Sequence, residues 1–294
     1  MNLADNSNQA KNLNWYLEQA KKNHQAIGHF NFSTEDVLRG IVEASIEGGA
    51  PAVMVGTSEG EVDFVGIYEA SAMVKAVAKH YNFPVFLNAD HFKSFDKCRE
   101  VIDAGYDSVI IDESKIPFAD NMAITKKVVE YARSADHNVT VEGEIGYLRG
   151  SSEVQKKVEV TSTDYTKPEE AEEFLKKTGV DRLAVVFGNI HGIVTDQEEK
   201  LDIGHFKKIV TAVPNVYYVL HGASGLKDSD IREAIKAGVT NVHFNTELRV
   251  AYTEGLHKAL HDKPGETTPY KYLKPGVDEM KKVVLAKIKL FMGK

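Results

Sequence analysis

One pattern limits this chain more than any other. A short β-branched run, a polar or Gly-containing turn and a helix-length stretch with one apolar face follow one another eight times. The strand candidates are residues 26–32, 51–57, 84–89, 107–112, 139–145, 182–187, 216–220 and 239–244. Between them lie stretches such as "TEDVLRGIVEASIEGG" and "SDIREAIKAG", several ending in Gly, the residue that most easily takes the left-handed helix stop. Strict alternation of strand and helix leaves two architectures, an open doubly wound sheet or a closed (β/α)8 barrel. Eight units in 294 residues favour the barrel as a single domain. A dinucleotide fold would carry a G-x-G-x-x-G turn after its first strand, and "GHFNFSTED" is not one.

Two segments stand outside the repeat. Residues 1–24 precede the first strand as an N-terminal helical extension, and residues 265–294 read as an irregular linker, "GETTPYKYLKPG", into a last amphipathic helix, "DEMKKVVLAKIKLFMGK". That helix is expected to cap the barrel or to pack on a partner subunit. Residues 147–167 are far longer than a usual βα connection, which suggests a lid.

Composition narrows the partners. A balance of 36 basic against 43 acidic residues gives a net charge of −7 with no basic block, which argues against nucleic acid or an anionic membrane. No signal-peptide order and no run of the ~18 apolar residues that span a bilayer are present, so a cytoplasmic protein acting on a small molecule is expected. The one cysteine, Cys98, forms no internal disulfide and no cysteine-based metal site. A metal ion would need His and carboxylate ligands.

In a (β/α)8 barrel, chemistry sits at the C-terminal ends of the strands. These ends carry Asp90-His91 after the third strand, Asp112 at the fourth and Glu142 and Glu144 at the fifth. They continue with "GNIHG" and His191 after the sixth, "HGASG" and His221 after the seventh, and "HFNTE" at the eighth. One strand-end histidine is usually structural; three at equivalent ends, His91, His191 and His221, suit zinc or a related divalent ion. Asp112 and Glu142 either pair with a barrel Lys or Arg, cap the next helix, or steady the ligands from behind. The other histidines, His24, His29, His80, His137, His205, His257 and His261, are assigned structural roles. The glycine-rich turns offer backbone N–H groups to an anion, with Ser224, Gly225, Asn245 and Thr246 as phosphate or substrate contacts.

Taken in order, "NADHF", "VIDAGYDSVIID", "EGEIG", "VVFGNIHG", "LHGASG" and "NTELR" resemble the class II fructose-bisphosphate aldolase family, which includes the tagatose-bisphosphate aldolases. The likeness runs from "GHFNFSTEDVLRGIVEA" to the C-terminal "VVLAKIKLF". It implies a zinc-dependent or other metal-dependent barrel enzyme, a homodimer or homotetramer. Such an enzyme splits a ketose bisphosphate, here fructose 1,6-bisphosphate, into dihydroxyacetone phosphate and glyceraldehyde 3-phosphate. It further implies His91, His191 and His221 as metal ligands, Asp90 as acid/base, and Glu144 and Asp112 at an alternative or second metal position. Ser58, Gly192, Gly222, Ser224 and Thr246 match substrate contacts. The family's base for the carbon-bound proton is a Glu on the loop after the fifth strand, for which Glu153 is the candidate. The loop reads "RGSSEVQ" where the family has Gly-Gly-x-Glu-Asp, and it places Glu153 about one position late.

The chain departs from the family pattern at several points. Phe92 follows the Asp-His pair where Gly is usual, and is expected to narrow the mouth. Asn88 stands where a His is common, and His243 and Asn245 occupy the Asn and Asp positions of the eighth-strand motif. A tagatose or other ketose phosphate is therefore a second expectation for the substrate, and a silent sugar-phosphate-binding barrel a third. A Schiff-base aldolase would need a desolvated strand-end lysine. Lys115 is the nearest candidate, and it is expected on an exposed loop.

Overall fold

A computed structural model describes residues 11–135 and 138–294; His137 and the first ten residues of the N-terminal extension lie outside the described residues. The strands are β1 (Ile27–Asn31), β2 (Val53–Ser58), β3 (Val85–Phe92), β4 (Ser108–Ile111), β5 (Thr140–Ile145), β6 (Gly150–Gln155), β7 (Arg182–Val185), β8 (His191–Val194), β9 (Tyr217–Leu220) and β10 (Val239–Phe244). The helices are α1 (Leu13–Lys22), α2 (Glu35–Gly48), α3 (Glu59–Val65), α4 (Ile67–Tyr81), α5 (Phe95–Asp103), α6 (Phe118–Ser134), α7 (Pro168–Thr178), α8 (Ile203–Ala212), α9 (Asp228–Ala237), α10 (Thr246–Asp262), α11 (Pro269–Tyr272) and α12 (Lys274–Phe291).

Eight strands close a parallel barrel in the order β1-β10-β9-β7-β5-β4-β3-β2. The (β/α)8 expectation holds. The strands alternate faces, as a two-residue period demands: on β3, Val85, Leu87 and Ala89 face the helices and join the large outer core. Phe86 faces inward at the barrel floor, where Ile27, Ala52 and Met54 meet Leu13, Tyr16, Leu17 and Ala20 of α1. The N-terminal extension is thus a plug. Asn12 caps α1 by accepting from the Trp15 amide, and its apolar face closes the end of the barrel opposite the strand C-termini.

Four features correct or add to these expectations. The long loop carries a strand: its residues Gly150–Gln155 form β6, which pairs in parallel with β8, the strand that begins at His191. A short helix, α3, precedes the helix expected after the second strand, and Gly66 at φ 86° ends α3 and starts α4 at a new angle. The C-terminal linker is largely helical, with α11 followed directly by α12 from Lys274, Pro275 sitting in its first turn.

The fourth correction concerns which helix completes the outer ring. α10 buries only Thr246, Leu248 and Gly255, whereas α12 packs between α10 and α2. Phe291 of α12 stacks against Phe30 of β1 and Phe244 of β10. The helix following the eighth strand therefore stands off the barrel. Among the described residues no helix is long and apolar enough to cross a membrane.

Candidate active site

The site begins at an irregularity in β3. Inward-facing parity predicts Phe86, Asn88, Asp90 and then Phe92, with His91 pointing outward. Instead the register with β4 shifts between Ala89 and Phe92, and His91 takes φ 54°, left-handed for a non-glycine residue. The bulge puts Asp90 and His91 side by side at the mouth and turns Phe92 into the outer core, 2% exposed. Phe92 therefore does not narrow the mouth. Strain of this kind persists only where the surrounding packing holds it, and it clusters at functional sites.

Three imidazoles converge there. The His91 ring centroid lies 5.2 Å from that of His191 and 4.6 Å from that of His221. His221 Nδ1 is 2.9 Å from Glu144 Oε2, and His91 Nδ1 is 3.7 Å from the same oxygen. Asp112 Oδ2 takes His91 Nδ1 at 2.9 Å, while Ser114 donates to the other Asp112 oxygen. Asp112 and Glu144 thus stand directly behind the rings and fix how they are turned.

Beneath them lies a buried polar layer built on Arg182, which is fully buried. Its guanidinium donates to Asn241 Oδ1 at 2.9 Å, to Asn88 Oδ1 at 3.2 Å and to the Ser108 hydroxyl, and pairs with Glu142 at 2.6 Å. Asn88 in turn faces His29 Nε2 at 3.0 Å, and the His29 ring stacks on His243 at 3.7 Å, tilted by 10°. Asp90 is held by Asn31, whose amide donates to Oδ2 at 2.9 Å, with His243 Nδ1 3.5 Å from Oδ1.

The electrostatics follow from this layout. Burial works against ionisation of Asp90, but His91, His243 and His29 overcome it and hold its carboxyl well below the usual range. Burial also opposes a charged His91, yet Asp90 and the hydrogen-bonded Asp112 push it up to about 9. Burial and the neighbouring His91 and His221 push His191 down to about 3, leaving one ring nitrogen unprotonated with its lone pair available. His29 and His243 are likewise driven down by burial and by neighbouring positive groups.

The donor set fits a divalent ion. His91, Glu144 and His221 each offer a donor atom, and these lie within 4.8 Å of one another. A tetrahedral ion with bonds of ~2.1 Å keeps its ligands ~3.4 Å apart. The 3.7 Å separation of His91 Nδ1 from Glu144 Oε2 is near that value, while the 2.9 Å contact of His221 Nδ1 with the same oxygen is a hydrogen bond that an ion would replace. Nε2 of His221 and both oxygens of Glu142 are buried without a hydrogen-bond partner, although Nε2 lies 2.8 Å from Glu142 Oε1. A second cluster, His29 with Asp90 and His243, fits poorly. A metal lies in the plane of each imidazole that binds it, and two stacked rings share no such point.

One cavity of about 30 Å3 gathers Asp90, His91, His191, Gly192, His221, Gly222, Ser224, His243, Asn245 and Thr246, with Ser152 of β6 closing it. Three predicted residues are elsewhere. Ser58 caps α3, its hydroxyl and Glu61 forming a reciprocal capping box. Glu153 is exposed on β6, one residue beyond the cavity-lining Ser152. Gly225 spends its amide on Glu247 Oε1 at 2.9 Å. Lys115 is exposed, as expected of a loop residue.

The turns that carry His191 and His221 are tied together. Asn189 donates to the His221 carbonyl at 3.1 Å and accepts from the Phe187 amide at 2.9 Å. Behind the first turn, Glu199 accepts from the Ile190 amide at 2.7 Å, its other oxygen has no partner, and burial pushes its carboxyl up to about 8. The sequence reading passed over Arg182, Asn31, Glu61, Ser152, Glu199 and Arg249. One signal was there for Arg182: a charged residue opening an otherwise apolar strand run needs a buried partner, and Glu142 faces it across the β5–β7 ladder.

The comparisons with known proteins agree with this geometry. The family model described as fructose-bisphosphate aldolase class-II matches residues 11–294. A fructose-bisphosphate aldolase of Staphylococcus epidermidis is 37% identical over 278 residues, covering 94% of both chains. One of Staphylococcus aureus is 38% identical over 280 residues at the same coverage. Among solved structures, the YdjI aldolase of Escherichia coli K12 matches with a TM-score of 0.81 at 29% identity, over 95% of this chain and 96% of that one. A putative fructose-1,6-biphosphate aldolase of Coccidioides immitis shares the fold, with a TM-score of 0.81 at 22% identity over 94% of each chain. With a strand-end histidine cluster at the mouth of a closed (β/α)8 barrel and a family match along nearly its whole length, the chain belongs to the class-II fructose-bisphosphate aldolase family.

Proposed function

We propose that this protein reversibly cleaves fructose 1,6-bisphosphate to dihydroxyacetone phosphate and glyceraldehyde 3-phosphate, using zinc held by His91, His191 and His221, with Glu144 alongside. The observation that carries the reading is the bulge in β3, which sets a carboxylate and an imidazole ligand next to each other at the mouth. Bound there, zinc would supply a Lewis acid for the ketone and hydroxyl oxygens of the substrate. The residues of the chain do the rest.

Asp90 moves the proton of the aldehyde oxygen, taking it in cleavage and returning it in condensation. Its neighbours suit that work: Asn31 holds one oxygen in place, and the imidazoles of His91, His243 and His29 keep the carboxyl ionised. Gly192, Gly222, Ser224, Asn245 and Thr246 line the side of the cavity where the phosphate end of the substrate lies in this reading. Glu153 is the proposed base for the carbon-bound proton. It is exposed while Ser152 closes the cavity, so it acts only after the β6 tip rearranges. Ser58, bound in its capping box, would need to release Glu61 to contact substrate.

The same reading takes the chain as one barrel domain in a cytoplasmic homodimer or homotetramer. Phe64, Tyr68 and Tyr270, which are 75%, 63% and 75% exposed, are in keeping with a further packing surface. A different ketose phosphate is the second reading, favoured by His243, whose imidazole lines the cavity where the family pattern has Asn.

The test is direct. Zinc-loaded protein is incubated with fructose 1,6-bisphosphate and, separately, tagatose 1,6-bisphosphate, and the triose products are identified with and without chelator. Cleavage of the first that is abolished by chelator and restored by zinc is the expected result. Cleavage that survives the chelator and is trapped by borohydride would overturn the metal reading, and turnover of tagatose 1,6-bisphosphate alone would select the second.

A further inference from the structure

The β6 tip sits over the cavity, and one exposed cation helps to hold it there. Arg249, in the first turn of α10, donates through Nη2 to the Ser152 carbonyl, to the Ser152 hydroxyl at 2.9 Å and to the Thr246 hydroxyl at 3.5 Å. The two hydroxyls are themselves 3.2 Å apart. Each of these partners is a neutral oxygen, and among the described residues no carboxylate lies within ion-pair distance of the guanidinium. Glu247, two positions earlier, is already engaged by the Gly225 amide and, at 3.2 Å, by Lys287. The positive end of the α10 dipole adds repulsion, so Arg249 is a cation without a counter-charge.

The cavity it overlooks has the opposite shortage. Its lining contains hydroxyls, glycines, imidazoles, an amide and the Asp90 carboxylate but no Lys or Arg, although a phosphate ester brings close to two negative charges. At about 30 Å3 the cavity has room for about one water molecule. A triose phosphate enters only when Ser152 withdraws. That withdrawal strips Arg249 of its hydrogen-bond partners and uncovers the Thr246 hydroxyl beside it, at the moment the anion arrives.

We infer that Arg249 exchanges Ser152 for the phosphate of the substrate: the guanidinium that holds the empty mouth shut is the residue that recognises a phosphate monoester. A planar guanidinium suits this role, because its paired N–H groups match two phosphate oxygens while single contacts to Ser152 are readily given up. The identity of the ester rests on the aldolase reading; the exchange itself requires only phosphate.

Zinc-loaded wild type, Arg249→Ala and Arg249→Lys are titrated by calorimetry with dihydroxyacetone phosphate, dihydroxyacetone and inorganic phosphate. Arg249→Ala is expected to weaken both phosphate-bearing molecules by about tenfold or more. Arg249→Lys recovers part of this loss, since an ammonium keeps the charge without the fork. Dihydroxyacetone, which has no anion, binds the variants and wild type alike. Amide hydrogen exchange in residues 150–155 is expected to quicken when inorganic phosphate binds wild type, and to be fast in Arg249→Ala without it. Equal phosphate affinity in wild type and Arg249→Ala overturns the proposal, as does wild type that binds no phosphate. An equal loss for dihydroxyacetone also overturns it, because that marks a distorted mouth and not a missing charge. Arg249-dependent phosphate binding by a protein that cleaves no ketose bisphosphate leaves Arg249 in its role and removes the aldolase reading.

Discussion

Asp90 and His91 are adjacent in sequence, yet a regular strand would send them to opposite faces. The left-handed φ of His91 cancels that alternation and so decides what the site contains. Replacing Asp90 by Ala is expected to leave zinc content nearly unchanged while lowering turnover by about 10²- to 10⁴-fold; full activity would remove Asp90 from the mechanism. A different residue sets a pH dependence. Folded Glu199 titrates at about 8, against 4.5 for an ordinary glutamate. Between those values the native state keeps a proton that the unfolded chain has lost, so stability falls as pH rises through this window, by up to about 1.4 kcal/mol per pH unit. Glu199→Gln keeps an acceptor for the Ile190 amide and removes the slope. Urea unfolding at about pH 6 and about pH 9 checks this: the variant should gain on wild type at the higher pH, and parallel losses in both would assign the slope to other groups.

At the scale of elements, the repeat of strand and helix was legible because period-2 and period-3.6 burial are written in residue order. Strand ends were less so. β3 runs to Phe92 because its last residues still pair with β2 and β4, contacts that no local pattern records. The β6–β8 ribbon escaped notice for the same reason: its residues are polar and partly exposed, and only the pairing of Gly150 with His191 and of Val154 with Ile193 makes them strands. The replacement of α10 by α12 in the outer ring depends on a close approach. A Cβ on Gly48 of α2 would lie 2.4 Å from Ile288 Cγ2 of α12, so these helices meet through a glycine. Gly48→Ala is therefore expected to destabilise the fold by about 1–3 kcal/mol despite its better helix propensity. A urea midpoint at or above that of wild type would show that α12 shifts without cost.

For the whole molecule, the metal candidates sit on a scaffold that does not need them. The plug of α1 and the outer core are built without an ion, and Arg182 has its bonds to Asn241 and Asn88 without one. Removal of a bound divalent ion by chelator should leave the far-ultraviolet circular dichroism unchanged at room temperature. It should also lower Tm, by an amount that grows with the concentration of the ion in the reference sample, since an ion held at 100 times its Kd adds about 2.7 kcal/mol. Loss of secondary structure on chelation would show instead that the ion holds the strands together. Charge in the barrel interior is what separates this molecule from an apolar-cored barrel. Arg182 and Glu142, both fully buried, stabilise one another only as a pair, and removing either strands the other.

The residues alone determined the barrel class, the strand-end histidines and the adjacency of Asp90 and His91. Each depends on local periodicity or on residue type, and both survive in a linear string. The tertiary structure decided which way Phe92 faces, that Ser152 and not Glu153 lines the cavity, and that Arg249 reaches across to it. These depend on a one-residue register shift and on contacts between segments about 100 positions apart, and three-dimensional closure of the barrel is what brings such segments together.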